Sequence, residues 1–393
     1  MRIALAGDFD TYVVLGAERP RLLLPYRLSP GLNLLRGFQE LGVRDIHIII
    51  GTREVTRPTV EAGPFGTVHR LPCPMLSGST SFFLWRRHLI HRELRAIQPD
   101  IVHGQGTEAE YAFSAVTSSY RNIITIHGIM SRVQRATPPP LFSLDHVPRW
   151  VEKLVIRKAT DVICLSRETE KFLVEQGSPA QRHLIPNAVA PCFFDAGLRP
   201  RVPNGFSLLF VGNIYRLKGV VHLVEALATA QQELGAPIRL RLAGKTGGGA
   251  VGAQYDKLLR RRADELGVAA NIEWLGALAE RDVAAALTQT DVLVLPSFQE
   301  TAPMAVAEAM AAGVPVLATR VGGIPDIVDE EKTGLLVAPG NSEELANAMC
   351  RLLADADLRR RLGVAGRAKA LEHYAPRVVA ERTLAVYQAI CRR

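Results

Sequence analysis

The decisive stretch runs Val292-Leu293-Val294-Leu295-Pro296-Ser297-Phe298-Gln299-Glu300-Thr301-Ala302-Pro303-Met304-Ala305-Val306-Ala307-Glu308-Ala309-Met310-Ala311-Ala312-Gly313. A short, continuously apolar run stopped by Pro-Ser reads as a strand covered on both faces, as in a parallel sheet. The alanine-rich run 305–312, closed by Gly313, reads as a helix. At the start of such a helix, backbone N–H groups lack intrahelical partners and the dipole is positive, which attracts a pyrophosphate. Met304 and Ala305 carry those groups. Glu308 lies one turn further on, where a carboxylate can accept two hydrogen bonds from a ribose diol, and Glu300 in the loop can reach a sugar hydroxyl. The same spacing also fits an acid favouring the helix dipole together with a solvated helix residue.

The strand and helix alternation recurs on the N-terminal side. Strand-like runs at 2–6, 46–50, 101–103, 123–126 and 162–165 are interleaved with helical patterns at 32–41 and 84–97. After a proline-rich stretch, 186–205, it restarts with strands at 207–211, 238–243, 272–275, 292–296, 314–319 and 335–337. Helices are expected there at 220–234, 254–266, 283–287 and 305–312. Two βα domains in tandem follow, joined by a linker at 186–205. The fold class is α/β.

The chain has 393 residues, of which 48% are hydrophobic and 22% charged, enough for two or three domains with sizeable cores. No run approaches the ~18 apolar residues that span a bilayer, which excludes a membrane-spanning protein. The N-terminus reads as a first strand of a cytoplasmic protein, not as a signal peptide. Five scattered cysteines without a CxxC pair indicate neither a disulfide framework nor structural zinc. The net charge of +8 favours anionic partners such as phosphorylated substrates, and nothing in the chain points to nucleic acid.

E-x(7)-E between a Pro-Ser turn and Ala-Met-Ala-Ala-Gly-Val-Pro-Val resembles the retaining glycosyltransferases of family four. The resemblance extends through Gly322-Gly323-Ile324-Pro325-Asp326 and Thr333-Gly334-Leu335-Leu336-Val337. It reaches back to Phe210-Val211-Gly212-Asn213 with Lys218-Gly219, and to Asp100-Ile101-Val102-His103, Thr125-Ile126-His127-Gly128 and Ile185-Pro186-Asn187. It implies the GT-B architecture, two Rossmann-like domains facing each other across a cleft. On that pattern residues 1–200 bind the acceptor, 201–372 bind a UDP- or GDP-sugar, and 373–393 form a helix returning to the first domain. The resemblance also implies that Lys218 meets the donor diphosphate and that His127 contacts the transferred sugar. Where the family usually has an arginine this chain has Asn213, and Arg216 is the nearby cation expected to help Lys218. His103, Gly244 and Asn187 are expected at the cleft, and no cofactor or catalytic metal is implied.

Other motifs compete. Gly244-Lys245-Thr246 ends like a Walker A loop, but Arg239 stands where its first glycine belongs. Residues 247–252 satisfy GxGxxG with Glu273 downstream, so a dinucleotide-dependent oxidoreductase is one rival. A flexible turn beside the donor site is the preferred reading. A phosphorylase or nucleotide-sugar synthase, and a nonenzymatic sugar-binding protein, are the others. Asp8-Phe9-Asp10 matches the DxD of metal-dependent glycosyltransferases but lies in the half assigned to the acceptor. The aromatic and basic segment 81–95 offers peripheral contact with an anionic bilayer. The preferred alternative is a helix burying Leu84, Leu89 and Leu94. The oligomeric state is not legible.

Overall fold

The computed structural model describes residues 1–17, 30–74, 78–136, 143–197, 206–247 and 249–393. These fall into two compact units, one of residues 1–17, 30–188 and 376–393, the other of 189–375.

The first unit is built on eight strands: β1 (Ile3–Ala6), β2 (Ile46–Thr52), β3 (Thr59–Gly63), β4 (Gly66–Pro72), β5 (Ile101–Gln105), β6 (Asn122–Ile126), β7 (Asp161–Cys164) and β8 (Gln181–Leu184). Their order is β3-β4-β2-β1-β5-β6-β7-β8. All neighbours are parallel except the β3–β4 hairpin. Central residues such as Ile49, Val102, Ile124 and Val162 are fully buried, as continuous apolar strands between helical layers require. The last helix, Pro376–Arg392, belongs to this unit and packs on the helix Pro30–Glu40. Gly37 permits the approach, because a Cβ there would lie 2.1 Å from the carbonyl oxygen of Pro376.

The second unit holds β9 (Phe206–Val211), β10 (Ile238–Ala243), β11 (Ile272–Gly276), β12 (Val292–Leu295), β13 (Val316–Thr319) and β14 (Gly334–Val337). They run parallel in the order β11-β10-β9-β12-β13-β14. The chain leaves β9 in one direction along the sheet and resumes at β12 in the other. Open α/β sheets bind ligands at the carboxyl ends of the strands flanking such a reversal.

Three expectations need correction. The 186–205 stretch is not all linker: Pro191–Ala196 is a helix with proline at its first turn, and Phe193 is fully buried in the core of the second unit. Residues 198–205 lie outside the described residues, as do Pro138, Pro139 and Pro140. The glycine-rich segment is not simply a turn, since the helix expected from Gln254 starts at Gly249. Leu259 and Ala263 bury its inner face, outweighing the ~1 kcal/mol that each helical glycine costs. Leu84 is 51% exposed instead of buried, and Phe83 fills the core in its place. Phe82 and Phe83 both take left-handed backbone conformations, with φ of 49° and 57°, and this turns the helix Leu84–Ile97 so that its first residue faces out. Leu89 and Leu94 are buried as the periodicity predicts. No helix among the described residues is long and apolar enough to cross a membrane.

Candidate functional site

A cavity of about 330 Å³ opens at the carboxyl ends of β9, β10, β11 and β12 in the second unit. Its polar lining is Asn213, Lys218, Lys245, Glu300 and Glu308; Leu278, Val283 and Leu295 contribute apolar wall. Gly244, Met304 and Ala305 also line it. The structure thus brings together seven of the eleven residues singled out above. Arg216 is exposed and is not among the residues that line the cavity.

Each polar group is held by its local fold. Lys218 closes a short 3-10 turn, Arg216–Lys218, capped by Gly219 at φ 63°. A Cβ at Gly219 would lie 2.0 Å from the carbonyl oxygen of Pro296, so glycine there lets the lysine loop close on the end of β12. Lys218 Nζ donates to Glu300 Oε1 at 2.5 Å, and Ser297 Oγ donates to the same oxygen at 2.7 Å. Ser297 is itself fully buried, and its carbonyl accepts a hydrogen bond from Thr319 Oγ1 at 2.5 Å. The Glu300 backbone is braced from beyond β13, where Gly323 N–H donates to the Glu300 carbonyl at 3.2 Å. Ser297, Gly322 and Gly323 were not read from sequence as parts of this support. The Pro-Ser turn was the available signal.

Glu308 lies on the helix Met304–Ala311 and is 0% exposed, which removes the solvated-residue reading of the second acid. Pro303 occupies the cap position of that helix. Met304 and Ala305, the first-turn residues at the positive end of the helix, line the cavity. Two carboxylates, two ammonium groups and a helix N-terminus around one cavity match a ligand with polyol and phosphate parts.

In the first unit, His127 follows β6 and Nε2 lies 2.6 Å from Gln105 Oε1. An amide oxygen only accepts, so Nε2 carries the proton and Nδ1 presents a lone pair. Nδ1 is buried and has no hydrogen-bond partner among the described residues. His103, also expected at the cleft, is 1% exposed. Its Nδ1 lies 2.5 Å from Tyr387 Oη and its Nε2 lies 2.7 Å from Thr125 Oγ1, while Gln105 Nε2 approaches at 3.0 Å. The network ties the last helix to the His127 support. Asn187 sits half-buried in the loop after β8. Asp10, the second acid of the DxD triplet, caps the helix Thr11–Leu15, accepting from the N–H groups of Tyr12 and Val13. Among the described residues no cluster of three or more His, Cys, Asp or Glu is arranged to hold a metal ion.

Burial holds both histidines neutral, lowering His127 to about 4 and His103 to about 3, the latter with help from nearby His127. The folded state therefore resists protons that the unfolded chain, titrating near 6.5, accepts. The stability contributed is complete above about pH 6.5 and is lost as pH falls towards 4. Denaturant titrations should show a loss of ~3 kcal/mol per histidine by pH 4. A His103→Asn variant should show a shallower pH dependence than the parent; an unchanged slope would place the acid sensitivity elsewhere.

Comparison with known proteins follows the same division. The model of "Glycosyl transferases group 1" matches residues 200–369 and that of "Glycosyltransferase Family 4" matches residues 32–191. The chain is 30% identical over 250 residues to the MMP alpha-(1->4)-mannosyltransferase of Mycolicibacterium hassiacum, covering 62% of this chain and 58% of that one. It is 31% identical over 269 residues to the alpha-maltose-1-phosphate synthase of Mycolicibacterium smegmatis, covering 62% and 67%. The matches span 58%, 35%, 36% and 65% of the length of four of the curated relatives. Anabaena HepE, solved in complex with UDP-glucose, superposes with a TM-score of 0.72 at 17% identity, covering 99% of this chain and 100% of that one. That likeness shows a GT-B fold.

Proposed function

Since the chain belongs to the family-four glycosyltransferases, we propose that it is a retaining enzyme. It moves a sugar from a nucleoside diphosphate sugar, UDP- or GDP-linked, to a hydroxyl acceptor in glycan, glycolipid or small-glycoside synthesis. The observation that carries this reading is the convergence of Lys218, Glu300, Glu308 and a helix N-terminus on one cavity at the strand-order reversal. The diphosphate lies against Lys218 and the N–H groups of Met304 and Ala305, and the ribose diol against Glu308. The apolar wall at Leu278 and Val283 takes the base. We assign the first unit to the acceptor, and His127 and Glu300 to the transferred sugar. His103 and Gln105 set the His127 tautomer and do not themselves meet the ligand.

Transfer proceeds by same-face attack. The leaving diphosphate collects negative charge as the glycosidic bond breaks, and that charge is met by groups already in place. An ammonium has three donors, so the Lys218 bond to Glu300 leaves two for phosphate oxygens. The departing phosphate takes the acceptor proton.

Titration calorimetry of UDP and GDP tests the donor site. Glu308→Ala should bind ~10–100-fold more weakly, because hydrogen bonds to a charged group contribute ~1.5–3 kcal/mol each. Unchanged affinity in a folded variant would remove Glu308 from the ribose. Transfer should also persist in excess chelator, the phosphate charge being met by Lys218 and the helix end. Loss of transfer in EDTA, restored by manganese, would return Asp8 and Asp10 to consideration.

A further inference from the structure

Lys245 lines the cavity as its second cation, beside Lys218. The loop after β9, residues 212–214, and the loop after β10, residues 244–246, run side by side as an extension of the parallel pair. Gly212 N–H donates to the Ala243 carbonyl at 2.9 Å, Ile214 N–H to the Lys245 carbonyl at 2.7 Å, and Gly247 N–H to the Ile214 carbonyl at 3.1 Å. Gly244 permits this closeness, since a Cβ there would lie 1.8 Å from the Gly212 carbonyl oxygen. Asn213 and Lys245 are therefore neighbours on adjoining loops, and both line the cavity with Lys218.

Charge decides what Lys245 is for. The acids of the lining are Glu300 and Glu308, and its cations are Lys218 and Lys245. Lys218 is already engaged by Glu300. Without Lys245 the lining would carry a net negative charge and repel a nucleoside diphosphate; with it the lining is neutral, and the helix end tips the balance towards an anion. Lys245 is exposed and forms no ion pair among the described residues. Arg216, the cation expected to take this part, lies outside the cavity lining.

We propose that Lys245, not Arg216, is the second cation of the diphosphate site, standing in for the charge that Asn213 lacks. This rests on the nucleoside diphosphate reading given above. The lysine acts as a point charge on the phosphate oxygens and gives the site its salt-sensitive affinity.

The test is calorimetry of UDP and GDP with the full chain at low and moderate salt. Lys245→Gln should weaken whichever diphosphate the parent binds by about tenfold or more and flatten the dependence on salt. Lys245→Arg should retain most of the affinity, and Arg216→Gln should bind like the parent. In the Lys245→Gln background, Asn213→Arg should restore binding, since it returns a cation to the same wall from the adjoining loop. Unchanged affinity and salt dependence in Lys245→Gln, with the parent binding normally, would overturn the inference and leave the donor site standing. So would failure of both Lys245→Arg and Asn213→Arg to recover affinity, which would make the lysine a structural residue. A parent that binds neither diphosphate would overturn the donor reading and this inference with it.

Discussion

Lys218→Ala should lower turnover with a cognate nucleotide sugar by ~10²–10³ while weakening donor affinity much less. The asymmetry follows from when the charge arrives. In the bound donor the diphosphate charge is shared with the sugar bond; as that bond breaks, the leaving oxygen gains charge, and an ammonium beside it becomes more stabilising. Lys218 is prepared for this, because its Nζ is fixed at 2.5 Å from Glu300 and its loop is closed on the end of β12 through Gly219. Its removal also takes from Glu300 one of the two donors that orient the Oε1 oxygen, leaving Ser297 alone. The effects of Lys218→Ala and Glu300→Gln should therefore be less than additive in a double-mutant cycle, as for groups in one network. Lys218→Arg should recover only part of the rate, since a planar fork cannot place its charge at the same point. Steady-state kinetics with circular dichroism as the folding control decides the matter. Near-normal turnover in Lys218→Ala would assign the leaving group to another cation, with Lys245 the first to be examined.

What the sequence reveals about this fold is set by the range of the interactions involved. Helix Val220–Leu234 and strand Ile238–Ala243 have the bounds expected from the residues, because a buried strand declares itself by a continuous apolar run and Gly235 ends the helix in a left-handed conformation. The hairpin β3–β4 escaped notice: β4 mixes buried Val68 with His69 and Arg70, and neither apolar alternation nor a continuous run stands out. In the site, the two acids and Lys218 were legible as cavity residues because they lie beside a strand end and a helix start. Lys245 was not, since its value lies in the proximity of loops after β9 and β10, which are far apart in the chain, and its Gly-Lys-Thr context suggested only a failed phosphate loop. The His103 to Tyr387 bond joins positions 284 residues apart. No local pattern signals such a pair or the burial of His103. Arg216 is close in sequence to Lys218, but it is exposed and is not among the residues that line the cavity.

Gly322→Ala should uncouple Glu300 from its partners and reduce both stability and turnover, although the added methyl group would touch no substrate. Gly322 has φ of 52°, and a Cβ on it would lie 1.8 Å from the carbonyl oxygen of Glu300 and 2.9 Å from the carbonyl carbon. Two costs then add. The left-handed conformation costs an alanine ~1–2 kcal/mol wherever it occurs. The clash is with backbone, which cannot rotate away, so the 321–323 loop or the Glu300 loop must move. Gly235 separates the two costs, because it has φ of 60° with nothing within 4 Å of its Cβ position. Gly235→Ala should lose ~1–2 kcal/mol in denaturant titration and keep full turnover. Gly322→Ala should lose more than that, and should also lose ~10² in turnover if Glu300 shifts by about 1 Å. The Lys218–Glu300 bond and the 3.2 Å bond from Gly323 N–H to the Glu300 carbonyl hang on the same loop, so they should weaken together. Equal stability losses in the two variants, with turnover intact in both, would mean that the Glu300 loop yields without moving its carboxylate. The bracing from the loop after β13 would then have no part in placing the acid.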